Sequence, residues 1–260
     1  MRIPIYTLDA FTGRVFHGNP AAVCPLAVWL PDETLQGIAA ENNLSETAFL
    51  VEGKGGGYEI RWFTPKQEVD LCGHATLASA HVVLNFLKPG LPSVRFSSKS
   101  GPLKVSRAGD GLALDFPTRS PKACPPPLGL LDALGRPPER TYVSRDVMAV
   151  YETESDVRRL EPDFEKLAKV NAFAVVVTAP GDEVDFVSRF FAPRAGIAED
   201  PVTGSSHCTL IPYWAKRLGK KRLRALQVSP RGGELFCELR GERVSIAGRT
   251  VLYLEGTIEI

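Results

Sequence analysis

The chain has 260 residues, 44% of them hydrophobic, which is too long for a peptide module and too apolar for a disordered chain. Its 31 basic and 30 acidic residues leave a formal net charge of +1, so it carries no electrostatic footprint for nucleic acid or another polyanion. The five cysteines are widely spaced with no CxxC, which argues against a disulfide framework and a structural zinc site.

Taken in chain order, residues 2–11 alternate like a strand, and 21–26 form a second short apolar run. Residues 31–43 read as an amphipathic helix, with Pro31 near its start, Asp32 and Glu33 in the first turn, and Leu35, Ile38 and Ala39 on one face. Strands follow at 47–51 and 58–63. The glycine-rich stretch 53–57 between them lacks the Lys-Ser/Thr of a phosphate loop and reads as a hairpin turn. Residues 73–87 are apolar on nearly every side, so a helix there must be enclosed by other structure. Strands at 94–96, 103–107 and 111–116 precede a proline-rich stretch, 117–138, which reads as a linker with a helical turn or two near 128–134. Beyond it come a strand at 145–151, a short helix at 162–169, and strands at 172–178 and 184–191. A helix at 203–218 is followed by closing strands near 228, 235–239, 244–247 and 251–254. The basic run 216–224 reads as a solvated helix end, where cations suit the helix dipole. The N-terminus lacks the apolar core of a signal peptide, and no apolar stretch reaches the roughly 20 residues of a membrane span. The expectation is a cytoplasmic protein with no membrane partner.

The two halves resemble each other. Arg61-Trp62-Phe63-Thr64-Pro65 matches Arg189-Phe190-Phe191-Ala192-Pro193 at a spacing of 128 residues. Cys72-Gly73-His74 matches Thr203-Gly204-Ser205 at 131, and Pro31-Asp32 matches Pro162-Asp163 at the same spacing. Three matches in order, at nearly constant spacing, predict two similar domains: residues 1–117, which 251–260 can complete, and residues 118–250. Each predicted buried helix starts with glycine and short polar residues. Glycine lets a ligand approach the backbone, and a helix N-terminus offers free amide donors. As a matched pair, Gly73 and Gly204 point to a clamp for a small acidic substrate.

The motifs themselves resemble those of the phenazine-biosynthesis isomerase (PhzF-like) family. Asp9-Ala10-Phe11-Thr12 with Gly18-Asn19-Pro20-Ala21-Ala22-Val23 is similar to its opening. Asn43-Leu44-Ser45-Glu46-Thr47-Ala48-Phe49 resembles its catalytic-glutamate motif. Leu71-Cys72-Gly73-His74-Ala75-Thr76 and Glu199-Asp200-Pro201-Val202-Thr203-Gly204-Ser205 resemble its two helix motifs. The resemblance implies an α+β, diaminopimelate-epimerase-like fold of two pseudo-symmetric domains. Each is a curved, barrel-like, mostly antiparallel sheet around a central helix, with the active site between the domains.

From spacing alone Glu46 reads as a surface glutamate ahead of an edge strand; the resemblance gives it the family's acid/base role. Partial burial suits a carboxyl group that must both take and return a proton. From the residues alone His74 is a helix-capping residue and Asp200 an acidic turn before Pro201. The resemblance carries both over as catalytic, with Ser45, Gly73, Gly204 and Ser205 as substrate-binding residues. His17 falls in a loop, His81 packs on a helix, and His207 is at most a supporting residue. None forms a metal-ligand spacing such as HExxH, and no nucleotide or flavin motif appears, so no metal and no cofactor are expected.

Epimerases and racemases of this fold use one thiol at each helix N-terminus. Here Cys72 is matched by Thr203, whose hydroxyl is too weak an acid to replace a thiolate. The expected activity is therefore a one-base isomerisation, a proton shift on a small carboxylic or amino acid resembling dihydro-3-hydroxyanthranilate isomerisation. The alternatives are a two-base epimerase or racemase, and a non-catalytic small-acid binding or interaction protein. A homodimer is the commonest closed assembly and the expected one.

Overall fold

The computed structural model describes residues 1–53 and 55–260. Lys54, in the middle of the predicted 53–57 turn, lies outside the described residues; on either side of it the Gly53 amide donates to the Gly57 carbonyl at 2.8 Å. The chain divides into two compact units, Met1–Asp115 with Ala247–Ile260, and Phe116–Ile246.

In the first unit, strand β1 (Arg2–Ala10) pairs antiparallel with the C-terminal strand Thr250–Glu259 along its whole length, and with β2 (Asn19–Leu26) on its other edge. Helix α1 (Asp32–Asn42) carries the chain across to β3 (Glu46–Glu52), which lies parallel to β2. Strand β4 (Tyr58–Phe63) returns antiparallel, and a short β5 (Glu68–Val69) leads into α2 (Gly73–Val82). After α2 the chain continues in β6 (Ser93–Ser98), parallel to β4, then β7 (Gly101–Ala108) and β8 (Gly111–Pro117), joined as antiparallel hairpins.

The two helices take opposite faces of this sheet. Leu35, Ile38 and Ala39 of α1 pack on Ile3, Ile5, Ala22, Cys24, Phe49 and Phe63. Helix α2, whose residues are buried from Gly73 to Ala80, packs against β1, β2, β3, β7 and the C-terminal strand. An all-round apolar helix is what an enclosed position requires, because it has no face to give to water. The expected single helix over 73–87 stops at Val82; a wider, π-type turn covers Val83–Leu87.

The second unit repeats the plan. Strands β9 (Lys122–Ala123) and β10 (Arg140–Val143) are separated by α3 (Leu130–Leu134). Strand β11 (Val147–Val150) is linked by α4 (Glu154–Arg158) and α5 (Phe164–Leu167) to a parallel β12 (Val175–Pro180). Antiparallel β13 (Phe186–Ala192) and β14 (Ile197–Asp200) lead to α6 (His207–Leu218). Strand β15 (Arg222–Gln227) then lies parallel to β13, followed by β16 (Gly233–Arg240) and β17 (Arg243–Gly248).

Both units thus run strand, helix, strand, strand, buried helix, strand, strand. The fold class is α+β with curved sheets on central helices. The stretch read as a linker is not bare: Leu130, Ala133 and Leu134 of α3 are buried with Val147, Val157, Leu167 and Phe191. In α6, Trp214 is fully buried, stacked on Phe186 at 5.6 Å, and its indole N–H donates to Thr178 Oγ1 at 3.0 Å.

Helix α4 has a reciprocal cap: the Asp156 amide donates to Thr153 Oγ1 and the Thr153 amide to Asp156 Oδ2, both at 3.1 Å. Five residues of helix cannot sustain themselves without it. Thr153→Ala should lower stability by about 1 kcal/mol in urea titrations. An unchanged midpoint would show that packing alone holds this helix.

Candidate active site

Three local devices bring the first unit's polar residues to one place. Helix α1 ends at Asn43, whose left-handed backbone (φ 47°) is one of the few that a residue other than glycine accepts readily. That stop makes Glu46 the first residue of β3, paired with Ala21 of β2. Cys72, in extended conformation, caps α2, so Gly73 and His74 occupy its first turn, where backbone amides have no partner within the helix. Gly18 closes the loop after β1 at φ +65°; a Cβ there would lie 2.2 Å from the Ala10 carbonyl oxygen, so only glycine fits. The turn delivers Asn19 opposite Ala10 in the β1–β2 ladder.

The side chains meet at His74, which is buried. Its Nε2 lies 3.0 Å from Glu46 Oε2. Its Nδ1 lies 3.0 Å from the Asn19 side-chain nitrogen and 3.5 Å from Cys72 Sγ. Glu46 is only 8% exposed, and its Oε2, although close to the imidazole, has no well-directed hydrogen bond. Burial by itself would lower the basicity of His74. The neighbouring Cys72 sulfur and Glu46 carboxylate reverse that and hold the imidazole well above its ordinary pKa. Burial pushes the Cys72 thiol up to about 11, so it keeps its proton at neutral pH and the Glu46 carboxylate is the neighbour that favours the protonated ring. Asn19 suits either state of the ring, because its amide donates to a bare Nδ1 and, turned over, accepts from a protonated one.

Of the residues singled out in this half, the structure joins Glu46 and His74 directly and places Gly73 between Cys72 and His74. Ser45, half-buried, precedes Glu46. Asn19 and Cys72 are contacts that the sequence reading did not assign to the site. Asn19 stands inside the Gly18–Val23 motif, but its partner is 55 residues away in the chain.

In the second unit, Asp200 ends β14 and accepts a short hydrogen bond from the Thr203 hydroxyl. Gln227, buried in β15, accepts from the Thr203 amide at 2.8 Å and donates to the Asp200 carbonyl at 2.7 Å, tying the 200–203 turn to the sheet. The helix expected from 203 begins at His207 instead. Gly204 and Ser205 belong to the turn before it, and the His207 amide donates to the Gly204 carbonyl at 3.1 Å. A concavity of about 600 Å³ elsewhere in this unit, among Arg140, Tyr142, Tyr213 and Arg217, contains none of the candidate residues.

A curved sheet wound on a buried helix, with a carboxylate and an imidazole paired at that helix's N-terminus, defines a protein of the epimerase-like α+β class. The family model described as phenazine biosynthesis-like protein matches residues 8–127 and 130–256, and the chain belongs to this PhzC/PhzF family. It is 52% identical to an uncharacterized isomerase of Pseudomonas aeruginosa over the full length of both chains. The crystal structure of a PhzF-family phenazine biosynthesis protein from Enterococcus faecalis superposes with a TM-score of 0.97, at 48% identity and full coverage of both chains. A hydroxyproline epimerase from Agrobacterium vitis shares the fold alone, with a TM-score of 0.64 at 11% identity, covering 99% of this chain and 92% of the other. Among the described residues, no helix is long and apolar enough to cross a membrane.

Proposed function

We propose that the protein is a cofactor-independent isomerase that moves a proton between carbons of a small carboxylic or amino acid, with Glu46 as its base. One observation carries the reading: Glu46 Oε2 is buried, lies 3.0 Å from His74 Nε2, and has no well-directed hydrogen bond of its own. A buried carboxylate oxygen without such a bond is costly, and a substrate proton removes the cost. In the reaction the carboxylate takes a proton from one carbon and, as the carboxylic acid, returns it to another, so the product has the formula of the substrate. His74 remains charged beside it and fixes the carboxylate's orientation.

The thiol is the weaker candidate. A group that titrates near 11 supplies little thiolate at neutral pH. Its repeat counterpart Thr203 donates its hydroxyl proton to Asp200, which leaves the second half with a hydroxyl where a two-base epimerase needs a base. Asp200 is assigned to orienting the substrate's polar group, with Ser45, Gly73, Gly204 and Ser205 as binding residues. A compound resembling dihydro-3-hydroxyanthranilate is the model substrate.

The test is solvent-deuterium incorporation across a panel of cyclic and α-amino acids. Incorporation into one member, with migration of a double bond and no inversion of a stereocentre, supports the reading. Inversion at a single carbon would replace it with epimerase chemistry. Cys72→Ala should keep exchange within a few-fold of the parent, since its thiol stays protonated; loss of exchange in a folded variant would return the thiol to the mechanism.

A further inference from the structure

Strand β10 and helix α6 meet along three rungs. Arg140, Tyr142 and Ser144 alternate along β10 and the bend after it, and Thr209, Tyr213 and Arg217 recur at helical spacing on α6. At one end the Ser144 and Thr209 hydroxyls share a hydrogen bond of 2.8 Å. In the middle the rings of Tyr142 and Tyr213 meet edge to face, with centroids 5.2 Å apart. At the other end the Glu139 carboxylate stands between two guanidinium groups, 3.6 Å from Arg140 Nε and 3.9 Å from Arg217 Nη2. The two elements splay into a wedge that opens at the arginines, and this wedge is the concavity of about 600 Å³.

The sequence of α6 explains the third wall. Pro212 lies inside the helix and has no N–H, so the Cys208 carbonyl four residues earlier loses its helical partner. The Arg119 amide donates to that carbonyl at 2.8 Å instead, which holds Ser120 and Pro121 beside the helix. The rings of Tyr142, Tyr213, Pro121 and Pro212 then give the groove apolar sides. Its volume falls within the roughly 300–1,000 Å³ of small-molecule sites.

Charge decides what kind of molecule fits. Among the described residues that line the groove, Arg140, Lys216 and Arg217 are cationic and Glu139 is the one acid, which leaves an excess of positive charge. Both Glu139 distances exceed a hydrogen bond, and exposed ion pairs of that kind contribute little. The guanidinium forks can therefore take a carboxylate from a ligand, with the two parallel bonds that suit this group. Arg217 is already oriented for it. Its Nη1 donates to the Tyr213 hydroxyl at 3.0 Å, and its guanidinium carbon lies 5.1 Å from the centre of the Trp214 ring. The mouth of the groove is at the C-terminal turn of α6, where the helix carbonyls present negative potential. That favours a singly charged carboxylate over a multiply charged phosphate.

We infer that the groove between β10 and α6 is a binding site for a small aromatic carboxylate, with its ring against the tyrosines and prolines and its carboxylate on Arg140 and Arg217. None of the residues assigned to the isomerase takes part, so the site goes beyond that reading.

The probe is 2-naphthoate, titrated into the full-length protein and followed by residue-resolved NMR, with acetate and inorganic phosphate as comparisons. Saturable shifts should appear at residues 139–143 and 212–217. Half-saturation should come at a concentration at least ~10-fold lower than for acetate or phosphate, because the ring contributes beyond the charge. Shifts around Glu46 and His74 form a separate curve and report on the candidate active site. Arg140→Gln and Arg217→Gln should each weaken binding in the groove by ~10-fold or more, and Arg217→Lys, which keeps the charge without the fork, should weaken it too. Arg222→Gln, which removes an exposed arginine outside the groove, should leave binding unchanged. Circular dichroism shows that each variant is folded. The site is overturned by an absence of saturable shifts in the groove, by equal binding of acetate or phosphate, or by undiminished binding in folded Arg217→Gln. It is also overturned if the same resonances move on raising the protein concentration without ligand, which would mark this face as a contact between copies of the chain. No readout requires turnover, so the isomerase reading is tested separately.

Discussion

Glu46→Gln should reduce deuterium exchange into a cognate substrate by at least ~10²–10⁴-fold, the usual contribution of a general acid–base group, while substrate binding changes little. The amide keeps the shape of the carboxylate and can still approach His74 Nε2, but it has no oxygen basic enough to take a proton from carbon. The surroundings sharpen the expectation. Glu46 is buried, so no bulk water replaces it as base. A second acid–base group in the cluster, Cys72, holds its proton up to about pH 11. The Cys72 sulfur and the Glu46 carboxylate together hold the pKa of His74 well above its ordinary value. Removing the carboxylate therefore releases the imidazole toward its ordinary pKa, and a residual alkaline-shifted activity through neutral His74 is the only escape route. Running parent, Glu46→Gln and Cys72→Ala side by side across pH distinguishes these cases. Full activity in Glu46→Gln together with a dead Cys72→Ala would end the glutamate mechanism.

How much of this was readable from the chain depends on the range of the interaction. The enclosed position of α2 was legible because its side chains from Gly73 to Ala80 offer no polar face, a purely local property. The repeated plan was legible because aromatic strands and glycine turns recur at nearly constant spacing. The end of α2 was not: the residues of the π-type turn, Val83–Leu87, are as apolar as the helix before it, so composition gives no stop signal. The start of α6 was misplaced for the opposite reason. Thr203 and Ser206 look like helix-starting residues, but their groups are spent elsewhere, Thr203 on Asp200 and Gln227, and Ser206 Oγ on the Thr203 carbonyl. Within the candidate site, the motifs named Glu46 and His74, yet nothing in the chain says that they touch. That contact depends on β3 and α2 meeting through the sheet, as does the Asn19 contact. Gln227 had no local signal at all.

The second large effect concerns stability in acid. His207 is fully buried at the first turn of α6; its Nδ1–H donates to the Thr203 carbonyl at 2.8 Å, its ring lies beside Phe186, and its Nε2 has no partner. Burial lowers its pKa to about 4, with the Thr203 bond acting weakly in the other direction. The folded pKa thus lies below the 6.5 of a free imidazole, and between these values the unfolded chain binds the extra proton. Stability from this residue is complete above pH 6.5 and is lost as pH falls toward 4, in total about 3 kcal/mol. His74 acts with the opposite sign: its raised pKa makes its contribution complete below 6.5 and lost only as pH rises through the folded value. It therefore adds no slope in the acid window. Glu68, held down to about 2 by Arg61, loses its share only between 4.5 and 2, at the lower edge of that window. His207→Gln removes the titrating group and keeps a hydrogen-bond donor near Thr203, at a cost of about 1 kcal/mol at neutral pH. Protection of the α6 amides against hydrogen exchange, corrected for intrinsic rates, reads the helix that carries His207. From pH 6.5 to 4 the parent should lose protection by about two orders of magnitude relative to the variant. Parallel profiles would mean that His207 is reached by water or moves out before it is protonated, and the acid sensitivity of this unit would then have to come from its carboxylates.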